Sequence, residues 1–508
     1  MKDVLLIQLV LLITSAQAQT PFEKLYVGGG SLDVIELGSH NLLSGFHGSS
    51  NGPGMSLLDA AGSVIEMNTF VQYPFLVPMA YKQTDINAVY FVSGYVSGSC
   101  GVSPLMFPVV GKMDTAGNIQ TLSHYEFSDA CKSLPVDLEI THDKGVVTWG
   151  WPADFFALRV DSSLNPVWAK HFNHHGYFQF IKELPGGDLL AGFNMDTVGG
   201  AVARLNANGD FLWCKSYMRP SGSVKDCVIE SDSSFIIIGL TDDSYQNLFM
   251  MNVDGEGEVQ WCRGYSSGQP WYGSIPTLIT RTNDEGYALL ATNGSRPVLM
   301  KTDLNGDTLW TRTYGVQGYN YETWALLASS DGGYLISGMV MGDLPDMNTG
   351  LPCILKTDSL GILPCTPLVP RSFAISELFP MDSSFTLVPV DETTTAIPGN
   401  VTDTVYPPII TYDGCIITSV PGTLGTRAIR SHIRPNPNTG HFTVRFTDPL
   451  TADSFYSVYD AVGKLLFQRP LAKGTESEEI DLSLFGKGTY LVRITSKDGV
   501  CNERVVVQ

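Results

Sequence analysis

Charge is scarce in this sequence. Of its 508 residues 16% are charged, against about 25% in an average soluble protein. Only 31 Lys and Arg stand against 51 Asp and Glu, for a net charge of −20. That deficit of cations excludes nucleic acid as the main partner, because phosphate neutralisation needs a basic surface. The Lys/Glu/Ala-rich composition of a long coiled coil is missing too. No stretch reaches the ~18 apolar residues of a membrane-spanning helix. No two cysteines have CxxC spacing, and no Cys/His group has the spacing of a zinc site. HExxH and phosphate-loop motifs are likewise missing, so the sequence offers no catalytic residue, no metal ligand set and no cofactor. What is abundant is Gly (51), Pro (29) and aromatics (10%), within a chain that is 44% apolar. Such a composition is ordered and favours β structure.

The first 18 residues read as a secretory signal that engages the Sec translocon. Lys2 supplies the positive charge, residues 4–13 are apolar apart from Gln8, and Ala16-Gln17-Ala18 is a small-x-small cleavage site at Ala16 and Ala18. In an oxidising compartment some of the nine cysteines are expected to pair. Chain order suggests Cys100 with Cys131 and Cys365 with Cys415, but connectivity cannot be deduced from spacing.

Internal repetition is the strongest signal. One motif runs apolar-basic-x-Asp, two residues, Gly, then an apolar segment that often carries Trp. Its clearest copy is Met300-Lys301-Thr302-Asp303-Leu304-Asn305-Gly306-Asp307-Thr308-Leu309-Trp310. Copies centre on Asp59, Asp114, Asp161, Asn206, Asp254, Asp303 and Asp358. A second motif precedes each copy, as in Gly332-Gly333-Tyr334-Leu335-Ile336-Ser337-Gly338. Each unit holds four short strand candidates, for example 323–328, 334–338, 353–357 and a Trp-bearing strand like 309–314. Four antiparallel strands recurring seven times predict a seven-bladed β-propeller. The seventh unit lacks its fourth strand, since Trp does not follow Asp358. Residues 22–26, Phe-Glu-Lys-Leu-Tyr, look like the missing strand, so the N-terminus is expected to complete the last blade and hide an open edge.

The units resemble the Trp-bearing propeller repeats, GGY-apolar-apolar-x-G followed by KTDxxGDxxW, of secreted Bacteroidetes proteins. The resemblance covers residues 21–365 and implies a fold, not an activity.

Residues 366–426 break the repeat and form a Pro/Thr-rich linker or partly ordered extension, with strand candidates at 373–378 and 384–388. From 427 the pattern changes to about seven short alternating strands, an immunoglobulin-like sandwich. Here Pro435-Asn436-Pro437 with Gly440, then Tyr459-Asp460 with Gly463-Lys464, then Gly488 and Tyr490, and a Val505-Val506-Val507 end appear in order. These residues resemble the C-terminal sorting domain (type A-like) of type IX secretion cargo. The resemblance implies export across the outer membrane of a Gram-negative bacterium, recognition by the type IX translocon, removal by a sorting protease, and a product secreted or held at the cell surface. The expected fold class is therefore all-β, a seven-bladed β-propeller followed by a small immunoglobulin-like β-sandwich.

Functional residues are harder to place. Turns between the first and second and between the third and fourth strands are short. The other connections, such as 47–55, 95–110 and 339–352, read as long and variable, and such loops on a rigid scaffold are where binding resides. His171, His174, His175 and Tyr177 fall in one of these connections, and Trp271 and Tyr272 in another; imidazoles and stacking rings suit a sugar or a protein. The expected partner is an unknown extracellular protein or glycan. A secreted hydrolase or lyase on the same scaffold is the competing reading. Gly48-Ser49-Ser50-Asn51-Gly52 matches the nucleophile elbow only in letters, because Pro53 and Gly54 cannot open a helix after it. Asp303-x-Asn305-x-Asp307 reads as a hairpin turn rather than a calcium loop, since a distal bidentate Glu is missing. Trp168, Trp213, Trp261 and Trp310 recur at one position of the unit and are structural.

Overall fold

The computed structural model describes residues 21–26, 33–48, 52–70, 77–85, 88–100, 103–127, 133–152, 155–172, 176–196, 198–217, 222–241, 247–266, 277–315, 319–342, 350–363, 373–380, 382–399, 403–406, 411–413, 431–450, 454–460, 465–496 and 499–508. The signal-peptide residues, including Ala16 and Ala18, lie outside that set. The chain divides into two compact units, Met1–Gly414 and Cys415–Gln508.

The first unit is a seven-bladed β-propeller. Each blade is an antiparallel sheet laid down in chain order. Blade one, for instance, consists of Val34–Glu36, Leu42–Gly48, Gly52–Leu58 and Val64–Phe70. Blade seven is built from Asn320–Ala328, Tyr334–Met341 and Leu351–Lys356, and its fourth strand is the N-terminal Phe22–Tyr26, with Leu25 opposite Cys353 and Phe22 opposite Lys356.

Every recurring residue of the repeat has a mechanical task. In all seven copies the Asp or Asn side chain accepts the backbone N–H groups two and four residues on. This Asx arrangement pre-forms the hairpin turn. The residue three positions on has positive φ. It is Gly in six copies, as at Gly306 (φ 79°), and Leu164 (φ 66°) in the third. Eleven residues after the Asp or Asn, a Tyr reaches across to the following blade. Tyr125, Tyr217, Tyr265 and Tyr314 each donate a hydroxyl hydrogen bond to the carbonyl of the next blade's positive-φ residue, at 2.6–2.9 Å. Tyr26 makes the same bond to Gly62 across the closure, at 2.8 Å. Trp168 and Trp213 do likewise through Nε1, to Ala207 and Gly255 of the next turn. The basic residue of the motif pairs with an Asp in the first turn of its own blade. Examples are Arg159 with Asp143, Arg204 with Asp188, Lys301 with Asp284 and Lys356 with Asp331. Blades are thus stitched to each other at every turn.

The extension is part of the propeller. After the seventh blade the chain runs backwards around the outside of the ring. Ala374–Glu377 pairs with the outer strand of blade five, Ser383–Ser384 with blade four, and Val390–Asp391 with blade three. Thr394–Gly399 then pairs with blade two, Asp403–Tyr406 with blade one, and Thr411–Asp413 with the N-terminal strand in blade seven. Among the described residues six of the seven blades thereby gain a fifth strand, and blade six has four. The belt covers backbone edges that would otherwise offer themselves to other chains. Its acids meet cations on the outer strands: Asp391 lies 2.7 Å from Lys170, Asp382 3.4 Å from Lys215, and Glu377 3.6 Å from Arg263.

Two expected long loops are hairpins instead. In blade two Ala88–Cys100 and Ser103–Met113 remain paired out to Cys100 opposite Ser103. In blade one the ladder continues to Gly48 opposite Gly52. Alternation with Gly and Ser hides such an extended ladder from a pattern search, because neither residue marks a face. Cys214, Cys227, Cys262 and Cys353 are buried, unpaired thiols inside the blades. Burial pushes the Cys262 thiol up to about 12. The suggested partners Cys131, Cys365 and Cys415 lie outside the described residues.

The second unit is a two-sheet sandwich. Ser431–Arg434, His441–Phe446 and Ser477–Asp481 form one sheet; Leu465–Leu471, Ser454–Tyr459, Gly488–Ser496 and Gly499–Val507 form the other. Its core joins Ile433, Phe442, Val444, Tyr456, Val458, Ile480, Val492, Ile494 and Val505.

Candidate functional site

The channel along the propeller axis is a cavity of about 1260 Å³ lined by the first strand of all seven blades. These innermost strands share a distortion. In blades two, three, four, five and seven a β-bulge interrupts the pairing of first and second strands. The extra residue in the last four of these is Val136, Gln179, Lys225 and Trp324, and all four line the cavity. Bulges re-aim a side chain and are common beside binding sites. Unlike the outer turns, this position carries a different residue in each of these four blades.

The cavity wall has two sides. Blades one to five contribute charge. Lys82 lies 2.5 Å from Glu139 of the next blade, and Lys182 lies 2.9 Å from Asp226. Asp33 sits just before the first strand of blade one, and its carboxylate accepts the N–H of Val34 and, across the blade boundary, that of Tyr81. Asp226 repeats the device toward Ile279 of blade six, and Asp137 accepts the N–H of Leu138. Burial pushes the Asp33 carboxyl up to about 7. Burial also raises Asp137. Lys182 is held above its ordinary value by Asp226, against the opposing effect of burial. Lys225 goes the other way, because burial in the channel pushes its amine down to about 8. Blades six and seven present Thr277, Leu278, Ile279, Thr280, Trp324, Leu326 and Leu327, none of them ionisable.

Of the residues singled out in the sequence, Tyr177 lines the channel and is 42% exposed. His171 lies within the outer strand Pro166–Phe172 rather than in a connection, because the ladder runs past the expected strand end; it pairs with Val390 of the belt, and its Nδ1 is 2.5 Å from Glu392. His174, His175, Trp271 and Tyr272 lie outside the described residues. Gln179, Lys225 and Trp324 were not found by sequence reasoning. They become visible only once the bulge fixes which residue of each first strand turns inward. Among the described residues, no group of three His, Cys, Asp or Glu side chains is placed to hold a metal ion.

The C-terminal motif residues hold the sandwich together. Asn436 donates from Nδ2 to the Arg504 carbonyl and accepts the Val506 N–H on Oδ1, at 2.6 and 2.9 Å, which clamps the last strand. Pro435 and Pro437 flank it, each following a cis peptide bond. Gly440 has φ 108°, and a Cβ there would come 2.8 Å from Ser483 Cα. Tyr490 donates to the carbonyls of Phe485 and Gly486, and Gly488 opens the same strand opposite Val507. Tyr459 ends its strand beside Asp460; Gly463 and Lys464 lie outside the described residues.

Comparison with known proteins identifies the C-terminal module. Residues 432–508 match the profile of a secretion-system C-terminal sorting domain. The module is such a domain, and the chain carries the export signal of type IX secretion cargo. No curated protein sequence matches the chain. Among solved structures, a protein of unknown function from Bacteroides caccae aligns with 71% of this chain and 99% of its own, at 10% identity and a TM-score of 0.31. Prolyl oligopeptidase B from Galerina marginata aligns with 85% of this chain and 57% of its own, at 10% identity and a TM-score of 0.41.

Proposed function

We propose that the protein is an exported binding protein. Its C-terminal module directs the chain through the type IX translocon, where a sorting protease removes it, and its propeller then binds a protein or glycan at the cell surface or outside the cell. The N-terminal segment delivers the chain to the Sec translocon first. The observation that carries the binding part is the contrast within one repeat. The outer turns keep the same residues in copy after copy, whereas the channel-facing bulge carries Val136, Gln179, Lys225 or Trp324. Stability needs the former, and nothing in the repeat's mechanics needs the latter. The carboxylates that line the channel are committed to backbone amides, to lysines and, at Glu36, to the hydroxyls of Ser329 and Ser330 and to His40, an arrangement that suits holding a ligand better than transferring its protons.

Export is tested by deleting residues 427–508 and fractionating cells. The truncated protein is expected to stay in the periplasm, and continued appearance outside the outer membrane would sink the sorting role.

A further inference from the structure

The C-terminal sandwich passes from one sheet to the other, between Ser477–Asp481 and Gly488–Ser496, through the short turn Ser483–Phe485. At its centre Leu484 is 94% exposed, more than any other large apolar side chain among the described residues. We propose that this turn is the docking knob through which the type IX machinery reads the module, with Leu484 entering an apolar pocket bordered by carboxylates on that machinery. This rests on the sorting role given above and names the surface that performs it.

A single exposed leucine is ordinary; the firmness with which this one is displayed is not. Ser483–Phe485 is one turn of 3-10 helix, in which residues three apart lie on the same side. Leu482 and Phe485 are such a pair. Leu482 is fully buried in the sandwich core, and the Phe485 ring stacks on Phe467 at 5.7 Å. Leu484, between them, is left facing outward. The residues of the C-terminal motif then fix the turn. The Gly440 carbonyl accepts the Leu482 N–H at 2.7 Å, and a Cβ at Gly440 would come 2.8 Å from Ser483 Cα, so only glycine allows the approach. Asp481 accepts the Ser483 N–H at 2.8 Å. The Tyr490 hydroxyl lies 2.7 and 2.9 Å from the carbonyls of Phe485 and Gly486. A knob held this way loses little freedom on docking, which is the advantage of preorganisation.

Charge selects the kind of pocket. Arg469 lies over the Phe467 ring at 5.4 Å, on the ring that carries Phe485, and the exposed Lys487 follows the turn. Residues 427–508 hold 11 Lys and Arg against 9 Asp and Glu, in a chain that totals 31 against 51. The module is therefore weakly basic, and the acidic excess lies in the rest of the chain. An apolar knob beside cations complements a pocket edged with carboxylates, and the same carboxylates turn away the acidic propeller. A bilayer would attract these cations too, but one leucine buries too little to hold a chain there.

The test expresses full-length variants in cells with an active type IX system and measures the exported fraction, with the chain lacking residues 427–508 as the reference for lost sorting. Leu484→Ser is expected to lower the exported fraction by roughly tenfold or more, since burial of a leucine is worth about tenfold to a hundredfold in affinity. Its melting temperature should equal that of the parent chain. Leu484→Met should be exported normally. Lys487→Glu should lose about threefold. Phe455→Ser, at an apolar position 39% exposed elsewhere on the module, should be exported normally. Normal export of Leu484→Ser, with the truncated chain retained, would overturn the proposal and leave the sorting role standing. Export of the truncated chain would overturn the sorting role itself. An equal loss in Phe455→Ser would show that exposed apolar surface in general is sensed, and the knob would lose its claim. A lowered melting temperature in Leu484→Ser would contradict the outward placement on which the proposal stands.

Discussion

The outer rim and the inner channel of the propeller are made from the same seven repeats, yet they obey different rules. At the rim one solution recurs. An Asp or Asn pre-forms the turn, a residue of positive φ follows it, and a Tyr or Trp from the preceding blade closes on its carbonyls. At the channel a bulge turns a different residue inward in each of blades three, four, five and seven. The difference teaches where selection for folding ends: positions that stitch blade to blade cannot vary independently, whereas positions aimed into an open cavity can.

The comparison breaks most severely if the belt is removed. A chain ending at 365 lacks the fifth strands and leaves outer edges bare, whereas a chain ending at Gly414 keeps them. The shorter chain is expected to aggregate or oligomerise and to melt at a lower temperature, and the longer one to stay monomeric, as size-exclusion chromatography and thermal melts will report. Equal behaviour of the two would show the belt to be ornamental. Next in size is Asp331→Ala. It strands Lys356, whose side chain is 0% exposed and 2.8 Å from Asp331, and breaking a buried pair from one side costs about 3–5 kcal/mol. Chemical denaturation measures this, and a loss below about 1 kcal/mol would show that the pair behaves as an exposed one. A smaller effect sharpens the rim rule. Tyr265→Phe deletes a buried 2.6 Å bond to the Gly306 carbonyl and should cost about 1–3 kcal/mol. Phe172 already occupies that position in blade three, so Phe172→Tyr should recover part of that amount if its hydroxyl reaches the Gly209 carbonyl. A neutral result for both substitutions would reduce the Tyr stitch to packing alone.

The same contrast explains what could be read in advance. The blades and the N-terminal closing strand were legible because turn residues and apolar strands recur with fixed spacing, and Phe22–Tyr26 still carries the pattern of a fourth strand. Of the belt only the start was, since the candidates at 373–378 and 384–388 meet Ala374–Glu377 and, at Ser384, Ser383–Ser384; its later strands are two to six residues long, too short for any alternation to show. Their hydrogen bonds come from edges elsewhere in the chain. Lys225 and Trp324 were hidden for a related reason. A bulge shifts the alternation by one residue, so inward and outward positions cannot be assigned until the register is known. His171 illustrates the converse error, since a polar residue expected in a loop sits on an outer strand and faces Glu392 of the belt.

Hydrogen–deuterium exchange of the full chain, with and without a saturating glycan or protein recovered by glycan-array or pull-down screening, separates rim from channel most directly. Slower exchange is predicted in the bulged first strands Ser223–Ser231 and Asn320–Ala328, with the outer strands and their turns unchanged. Protection confined to the outer strands or to the sandwich, with those two segments unaffected, would contradict a propeller that is built at its rim and binds in its channel.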